Sequence, residues 1–278
     1  MNETMISRFS LQDRIVVITG GAGLLGTQHG EAVAEAGGIP VLLDLHRDRA
    51  EQAAAKISAK YGTTALGLAC DITDKAQVAS CLEVTLGKFG RVDALVNNAA
   101  NDPKVGPGAD AQRLTRFENM TLAYWNADLS VSLTGAFLCS QVFGHHMATC
   151  GRGVIVNVAS DLAVIAPDQR LYQLADVAPD AQPVKPVTYS VVKAGLVGLT
   201  RYLATYWAES GLRVNAISPG GVFNGQNDEF VGRLAQRIPM GRMAKQDEYK
   251  ASLLYLLSDA SSYLTGFNLV VDGGRSCW

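Results

Sequence analysis

The sequence predicts an α/β fold, a doubly wound sheet of seven parallel strands flanked by helices on both faces. Short β-branched runs alternate along the chain with longer amphipathic stretches, the pattern of repeated βαβ units. The runs are apolar throughout instead of alternating with polar residues, so both faces of the sheet are expected to be covered. At 278 residues, with 48% hydrophobic and 18% charged residues, the chain can enclose a large core without metal or disulfide staples. No repeat or low-complexity tract divides it, and a single domain over 1–278 is expected.

The first strand, 15–19, runs into Thr19-Gly20-Gly21-Ala22-Gly23-Leu24-Leu25-Gly26, and a helical pattern over 24–36 follows. Gly21, Gly23 and Gly26 match G-x-G-x-x-G in the strand-to-helix context that a dinucleotide pyrophosphate requires. Glycines let the backbone approach the phosphates, and the N–H groups at the helix start face their charge. The second strand, 39–44, ends on Asp44, 18 residues after Gly26, where a carboxylate can accept both hydroxyl protons of an adenosine ribose and would repel a 2′-phosphate. NAD is therefore favoured over NADP, and Gly20, Leu24 and Leu25 join the expected cofactor contacts. Arg47 and Arg49 fall inside the next helical pattern, 47–61, where solvent-facing charge is expected. The sheet so predicted is of the Rossmann type.

The third strand, 64–70, leads to Asp71-Ile72, placed either to cap an adenine ring or, through Asp71, Thr73 or Asp74, to cap the helix over 74–88. The strand at 92–97 precedes an irregular stretch, 101–115, and then a helix over 125–147. The strand at 154–159 precedes a second irregular stretch, 161–188. Both stretches follow strand ends, where open parallel sheets bind ligands, and are expected to rim a pocket. A helix over 189–209, strands at 212–217 and 268–271, and a helix over 246–257 complete the pattern, with 222–245 expected to be a substrate loop.

Lys plus Arg is 24 and Asp plus Glu is 26, a formal charge of −2, which argues against nucleic acid as a partner. Five cysteines, Cys70, Cys81, Cys139, Cys150 and Cys277, form no C-x-x-C pair and read as free thiols. The four histidines are not spaced as a metal site. Residues 1–13 carry no apolar leader run, and no apolar run reaches the ~18 residues of a membrane span, so a cytoplasmic location is expected.

Tyr189-Ser190-Val191-Val192-Lys193 puts a phenol and an ammonium one turn apart on a helix face. An adjacent cation favours the phenolate, which lets a tyrosine act as acid/base near neutrality. With the glycine loop, Asn97-Asn98-Ala99-Ala100, Asn157-Val158-Ala159-Ser160, Tyr263-Leu264-Thr265-Gly266 and Val271-Asp272-Gly273-Gly274, the chain resembles the short-chain dehydrogenases/reductases from Leu11 to Gly274. The resemblance implies a Rossmann domain and a homo-oligomer, a tetramer or a dimer, built from helix contacts. It implies Tyr189 as general acid/base, Lys193 holding the nicotinamide ribose and lowering the tyrosine pKa, and Ser160 hydrogen-bonding the reacting oxygen. Asn98, Ala99 and Ala100 would line the cofactor cleft, with Pro219, Gly220 and Val222 against the carboxamide.

The chain departs from the family pattern at four places. Leu24 replaces the middle glycine usual in the short branch, as in the longer sugar-nucleotide branch, whose extra domain does not fit 278 residues. Ser132 stands where the family commonly has a catalytic Asn, and its hydroxyl is equally suited to hold a water or to serve structure. Asn224 stands where a Thr is frequent, and an amide can still bond a carboxamide. Finally, 28 residues rather than about a dozen separate Ser160 from Tyr189, an inserted lobe over 161–188.

Asp161, Asp168, Gln169, Arg170, Tyr172 and Gln173 give that lobe many hydrogen-bonding groups, which favours a small hydroxylated substrate over a steroid or acyl chain. Residues 202–226 resemble dehydrogenases of bacterial surface-glycan and flagellin-sugar pathways, which points to a sugar or sugar acid. The expected activity is NAD-dependent interconversion of a secondary alcohol and a ketone. The alternatives are an NAD-binding sensor without turnover and a non-redox sugar lyase or epimerase with bound NAD.

Overall fold

A computed structural model describes residues 4–101, 115–175 and 177–278. Seven parallel strands, β1 (Ile15–Thr19), β2 (Ile39–Asp44), β3 (Leu66–Ala69), β4 (Ala94–Asn97), β5 (Gly153–Val158), β6 (Leu212–Pro219) and β7 (Asn268–Val271), form one sheet in the order β3-β2-β1-β4-β5-β6-β7. The chain reverses its winding direction between β1 and β4, which opens a crevice at the carboxyl ends of these strands. The expected fold class is the observed one.

Successive side chains of a strand point to opposite faces, and each face has its own core. Val16 and Ile18 of β1 pack with Val33 of helix α1 (Leu24–Glu35) and with Leu253 and Leu256 of α7 (Lys250–Leu257). Ile15 and Val17 pack on the other side, in one cluster with Phe143, Met147 and Trp207. Trp207 is thus a core residue. Fully burying a side chain such as Phe143 or Met147 stabilises the fold by roughly 1.5–3 kcal/mol.

The other helices are α2 (Arg47–Tyr61), α3 (Lys75–Phe89), α4 (122–149), α5 (Val187–Tyr206) and α6 (Asp228–Ala235). Asp74 caps α3, its carboxylate accepting the N–H groups of Ala76 and Gln77, whereas Asp71 accepts from Thr73, N–H at 2.9 Å and hydroxyl at 2.7 Å. Helix α4 joins Leu122–Leu129, Gly135–Cys139 and His145–Thr149 through two π turns, Ser130–Thr134 and Ser140–Gly144. It starts three residues before the expected position because Thr121, not Trp125, begins it, accepting the Tyr124 N–H.

Helix α6 lies within the segment expected to be a loop, and its signals are local: Asn227 accepts the Phe230 N–H, acids occupy the first turn and Arg233 the last. The irregular stretch expected over 101–115 lies, apart from its two ends, outside the described residues.

His29 in α1 is fully buried, and neither ring nitrogen has a partner among the described residues. Burial lowers its pKa from 6.5 to about 4. The unfolded chain therefore binds one more proton than the folded one between these values, so stability is complete above pH 6.5 and falls as the pH drops towards 4. The expected loss is on the order of 3 kcal/mol at about 1.4 kcal/mol per pH unit. Urea unfolding of His29→Leu across this window is expected to show one proton less of pH dependence. An unchanged slope refutes the assignment.

Candidate active site

The turn after β1 is shaped by two glycines. Gly20 has φ +61°, and a Cβ on Gly26 would lie 2.1 Å from the Gly20 carbonyl oxygen. Gly23 occupies the N-cap of α1 and offers no side chain to cap it, so the helix start faces the crevice through bare backbone. Gly21 serves differently: its N–H donates to Leu43, and a Cβ there would lie 2.6 Å from that of Leu42. It packs the turn onto β2 and stands off the cleft.

Asp44 ends β2 and pins the same turn, its carboxylate accepting the N–H groups of Ala22 at 3.2 Å and His46 at 3.3 Å. The Asn98 amide donates to the carbonyls of Thr19 and Gly20, while the Thr19 hydroxyl accepts the N–H groups of Asn98 and Ala99. The ends of β1 and β4 are locked together by these bonds.

One cleft of about 960 Å³ runs along the carboxyl edge of the sheet. Gly20, Gly23, Leu24, Leu25, Gly26, Asp44, Asp71, Ile72, Asn98, Ala99, Ala100, Pro219, Gly220 and Val222 line it, together with Ser160, Tyr189 and Lys193. Arg49, expected to face solvent, also lines it and reaches the Ala22 carbonyl at 3.5 Å, whereas Arg47 pairs with Glu51. Spacing on α2 alone does not tell which arginine curls back over the turn.

Helix α5 carries Tyr189 and Lys193 into the cleft wall, and long-range bonds set its place. The Thr188 hydroxyl donates to the buried Asp128 carboxylate of α4. Asn97 and Asn157, neighbours in register on β4 and β5, are bonded side chain to side chain at 2.8 Å, and Asn157 donates to Thr200 of α5 at 2.8 Å. Lys193 is buried, donates to the Val158 carbonyl at 2.8 Å, and lies 5.8 Å from the Tyr189 ring centroid. A second ammonium, Lys185, lies 3.7 Å from the same centroid. Two ammonium groups thus stand beside the one phenol.

Ser132 sits in the first π turn of α4, buried and off the cleft, where its hydroxyl accepts the Asn101 N–H at 3.2 Å. It ties the segment after β4 to α4. Asn224 lines the cleft and bonds Gln226 and Gln246.

The inserted lobe spends most of its polar groups on itself. Asp168 holds Arg170 and Arg237, which keep its carboxyl well below the usual range. Gln169 clamps both backbone groups of Lys185, and Gln182 bonds the backbone of Leu174 and Val177. The expectation that Asp168, Gln169 and Arg170 present hydrogen bonds to a substrate is corrected accordingly: Asp168 and Gln169 satisfy backbone groups of the lobe, and Arg170 is held by the Asp168 carboxylate. Leu171 of the lobe packs with Leu234, Ile238 and Met243 into an apolar wall. Tyr172, Gln173 and Asp161 do line the cleft.

A parallel sheet of this order, a glycine turn and a Tyr-Lys pair in one cleft define a nucleotide-dependent oxidoreductase of the Rossmann class. A family model described as enoyl-(acyl carrier protein) reductase matches residues 23–276. The chain is 34% identical over 274 residues to a D-threitol dehydrogenase of Mycolicibacterium smegmatis, covering 96% of this chain and 94% of that one. It is 33% identical to an NAD-dependent glycerol dehydrogenase of Listeria innocua (96% and 95% covered) and 33% identical to an NADP-dependent mannitol dehydrogenase of Alternaria alternata (96% and 93%). The crystal structure of gox2181 superposes with TM-score 0.87 at 27% identity, covering 99% of this chain and 100% of that one. The chain belongs to the short-chain dehydrogenase/reductase family.

Proposed function

We propose that the protein interconverts a secondary alcohol and a ketone on a polyol or related sugar, with NAD as its cofactor. The observation that carries this reading is the convergence of Ser160, Tyr189 and Lys193 on the cleft that the glycine turn opens. The residues fit a nicotinamide dinucleotide: Gly26 lets the turn close on the Gly20 carbonyl where no Cβ would fit, the helix start at Gly23 offers bare backbone for a pyrophosphate, and Asp44 ends β2 beside it. A nicotinamide bound there supplies the site that accepts or returns hydride.

Within that site Tyr189 takes the proton of the reacting hydroxyl on oxidation and returns it on reduction. Lys193, fixed by Val158, stabilises the phenolate and is the residue that would hold the nicotinamide ribose. Ser160, which lines the same cleft, orients the reacting oxygen. Relatives named for threitol, glycerol and mannitol support a polyol substrate, and the Asp44 carboxylate supports NAD, although Arg49 lies nearby and relatives use either cofactor.

NADH formation across a panel of polyols, sugars and sugar acids, run in parallel with NADP, tests the reading. Turnover with NAD and a polyol supports it. Tight NAD binding without turnover, or product without NADH, overturns it, and equal use of NADP refutes the role of Asp44.

A homo-oligomer, dimer or tetramer, forms part of the proposal. Phe137 of α4 and the stacked Tyr202 and Tyr206 of α5 are exposed, ring centroids of the two tyrosines 5.6 Å apart. Exposed aromatic surface of this kind marks association. Sedimentation is expected to show no monomer at micromolar concentration, and a monomer contradicts it. No helix among the described residues is long and apolar enough to cross a membrane. The free thiols support a cytoplasmic location, which cell fractionation tests.

A further inference from the structure

Beside Ser160 lies an ion pair that the mechanism above does not use. Asp161 and Arg275 are 114 residues apart in sequence, 3% and 9% exposed, and both line the cleft. The Arg275 guanidinium donates through Nη1 to Asp161 Oδ2 at 2.7 Å. Asp161 Oδ1 accepts the Ser160 hydroxyl at 2.9 Å and the Leu162 N–H at 2.8 Å. The carboxylate therefore touches the side chain expected to hold the reacting oxygen, and the guanidinium stands one group further along the same wall.

The position of Arg275 is set by backbone. Asp272 accepts the N–H groups of Gly274 and Ser276 at 2.9 and 2.7 Å and fixes the turn after β7. Guanidinium carries five N–H donors, and only the bond to Asp161 satisfies any of them among the described residues. The others are not among the buried side-chain atoms left without a partner, so they stay open to the cleft. Leu171, Leu234 and Met243 line the cleft and pack with Ile238 into an apolar wall.

We propose that the Asp161–Arg275 pair is the specificity element of this site and binds an uncharged hydroxyl on a carbon close to the reacting one. This rests on the alcohol–ketone reading. Arg275 donates to that hydroxyl through nitrogens that Asp161 leaves open. Because Asp161 cancels its charge, the pair selects a neutral polyol over an aldonate, whose carboxylate would meet Asp161 as well as Arg275. A site built to bond a hydroxyl discriminates strongly against an analogue that lacks it, since its own buried donors are then left unpaired.

The test compares kcat/KM for butane-2,3-diol and butan-2-ol, and for sorbitol and gluconate. The wild-type preference for the diol is expected to be about 100-fold, and Arg275→Met to reduce that ratio at least about tenfold. Asp161→Asn, which leaves the guanidinium uncompensated, is expected to raise the gluconate-to-sorbitol ratio by about tenfold or more. Arg275→Met leaves a buried carboxylate unpaired, so the neutral double variant Asp161→Asn/Arg275→Met carries the diol comparison if the single variant does not fold. Thermal melting and NADH fluorescence report the fold of each. A diol preference unchanged in the folded Arg275 variants, or a gluconate ratio unchanged in Asp161→Asn, overturns the proposal. A wild-type protein that oxidises none of the four compounds with either cofactor overturns the alcohol–ketone reading instead.

Discussion

Tyr189→Phe is expected to lower kcat by about 10²–10⁴-fold, the contribution of a positioned acid/base, while the dissociation constant for NADH changes far less. The substitution removes one oxygen and keeps the ring, so the neighbouring Lys193 and Lys185, 5.8 and 3.7 Å from the ring centroid, retain their packing surface. Steady-state kinetics and NADH fluorescence titration separate the two effects. A loss confined to KM would mean that the phenol only binds substrate, and full activity would remove Tyr189 from the chemistry.

Gly26→Ala is expected to weaken NAD binding by at least about 100-fold and to lower the melting temperature, because the new methyl group meets backbone rather than a flexible side chain. Its Cβ would fall 2.1 Å from the Gly20 carbonyl oxygen and 2.9 Å from both the Gly20 carbonyl carbon and Gly21 Cα. Relief requires the turn to open, and the turn is also held by Asn98 on the Gly20 carbonyl and by Asp44 on the Ala22 N–H. Calorimetric titration with NAD measures the first effect and thermal melting the second. A variant that binds NAD as the wild type does would show that the pyrophosphate does not rest on this turn.

Much of the molecule is legible in sequence because its signals are local. A strand buried on both faces writes itself as a short apolar run, and β1, β2 and β7 fall where such runs predict. The spacing of Tyr189 and Lys193 puts them on one helix face before any tertiary contact is known. Helix α6 carries an amphipathic period and its own cap, but at eight residues it is short and lies inside a polar segment that reads as a loop.

The candidate site was less legible wherever a role depends on which partner a polar group finds. Gly20, Gly21 and Gly26 are the same residue type within one motif, yet Gly21 packs on Leu42 while Gly26 clears the Gly20 carbonyl. Ser132 matches a family position in sequence, but its hydroxyl binds the Asn101 N–H. Asp168 and Asp161 are both acids of the same lobe. Arg170 and Arg237 occupy the first, and the second faces the cleft with Ser160 and Arg275.

The sequence by itself determined the strand-helix alternation, the glycine turn with its spaced acid and the Tyr-Lys pair. Each is set by backbone period or by residues within a few turns of one another. Only the tertiary structure decided which hydrogen-bonding groups remain for a ligand. That outcome depends on side chains more than a hundred residues apart, such as Asp161 and Arg275, meeting in a buried place where an unpaired charge is costly.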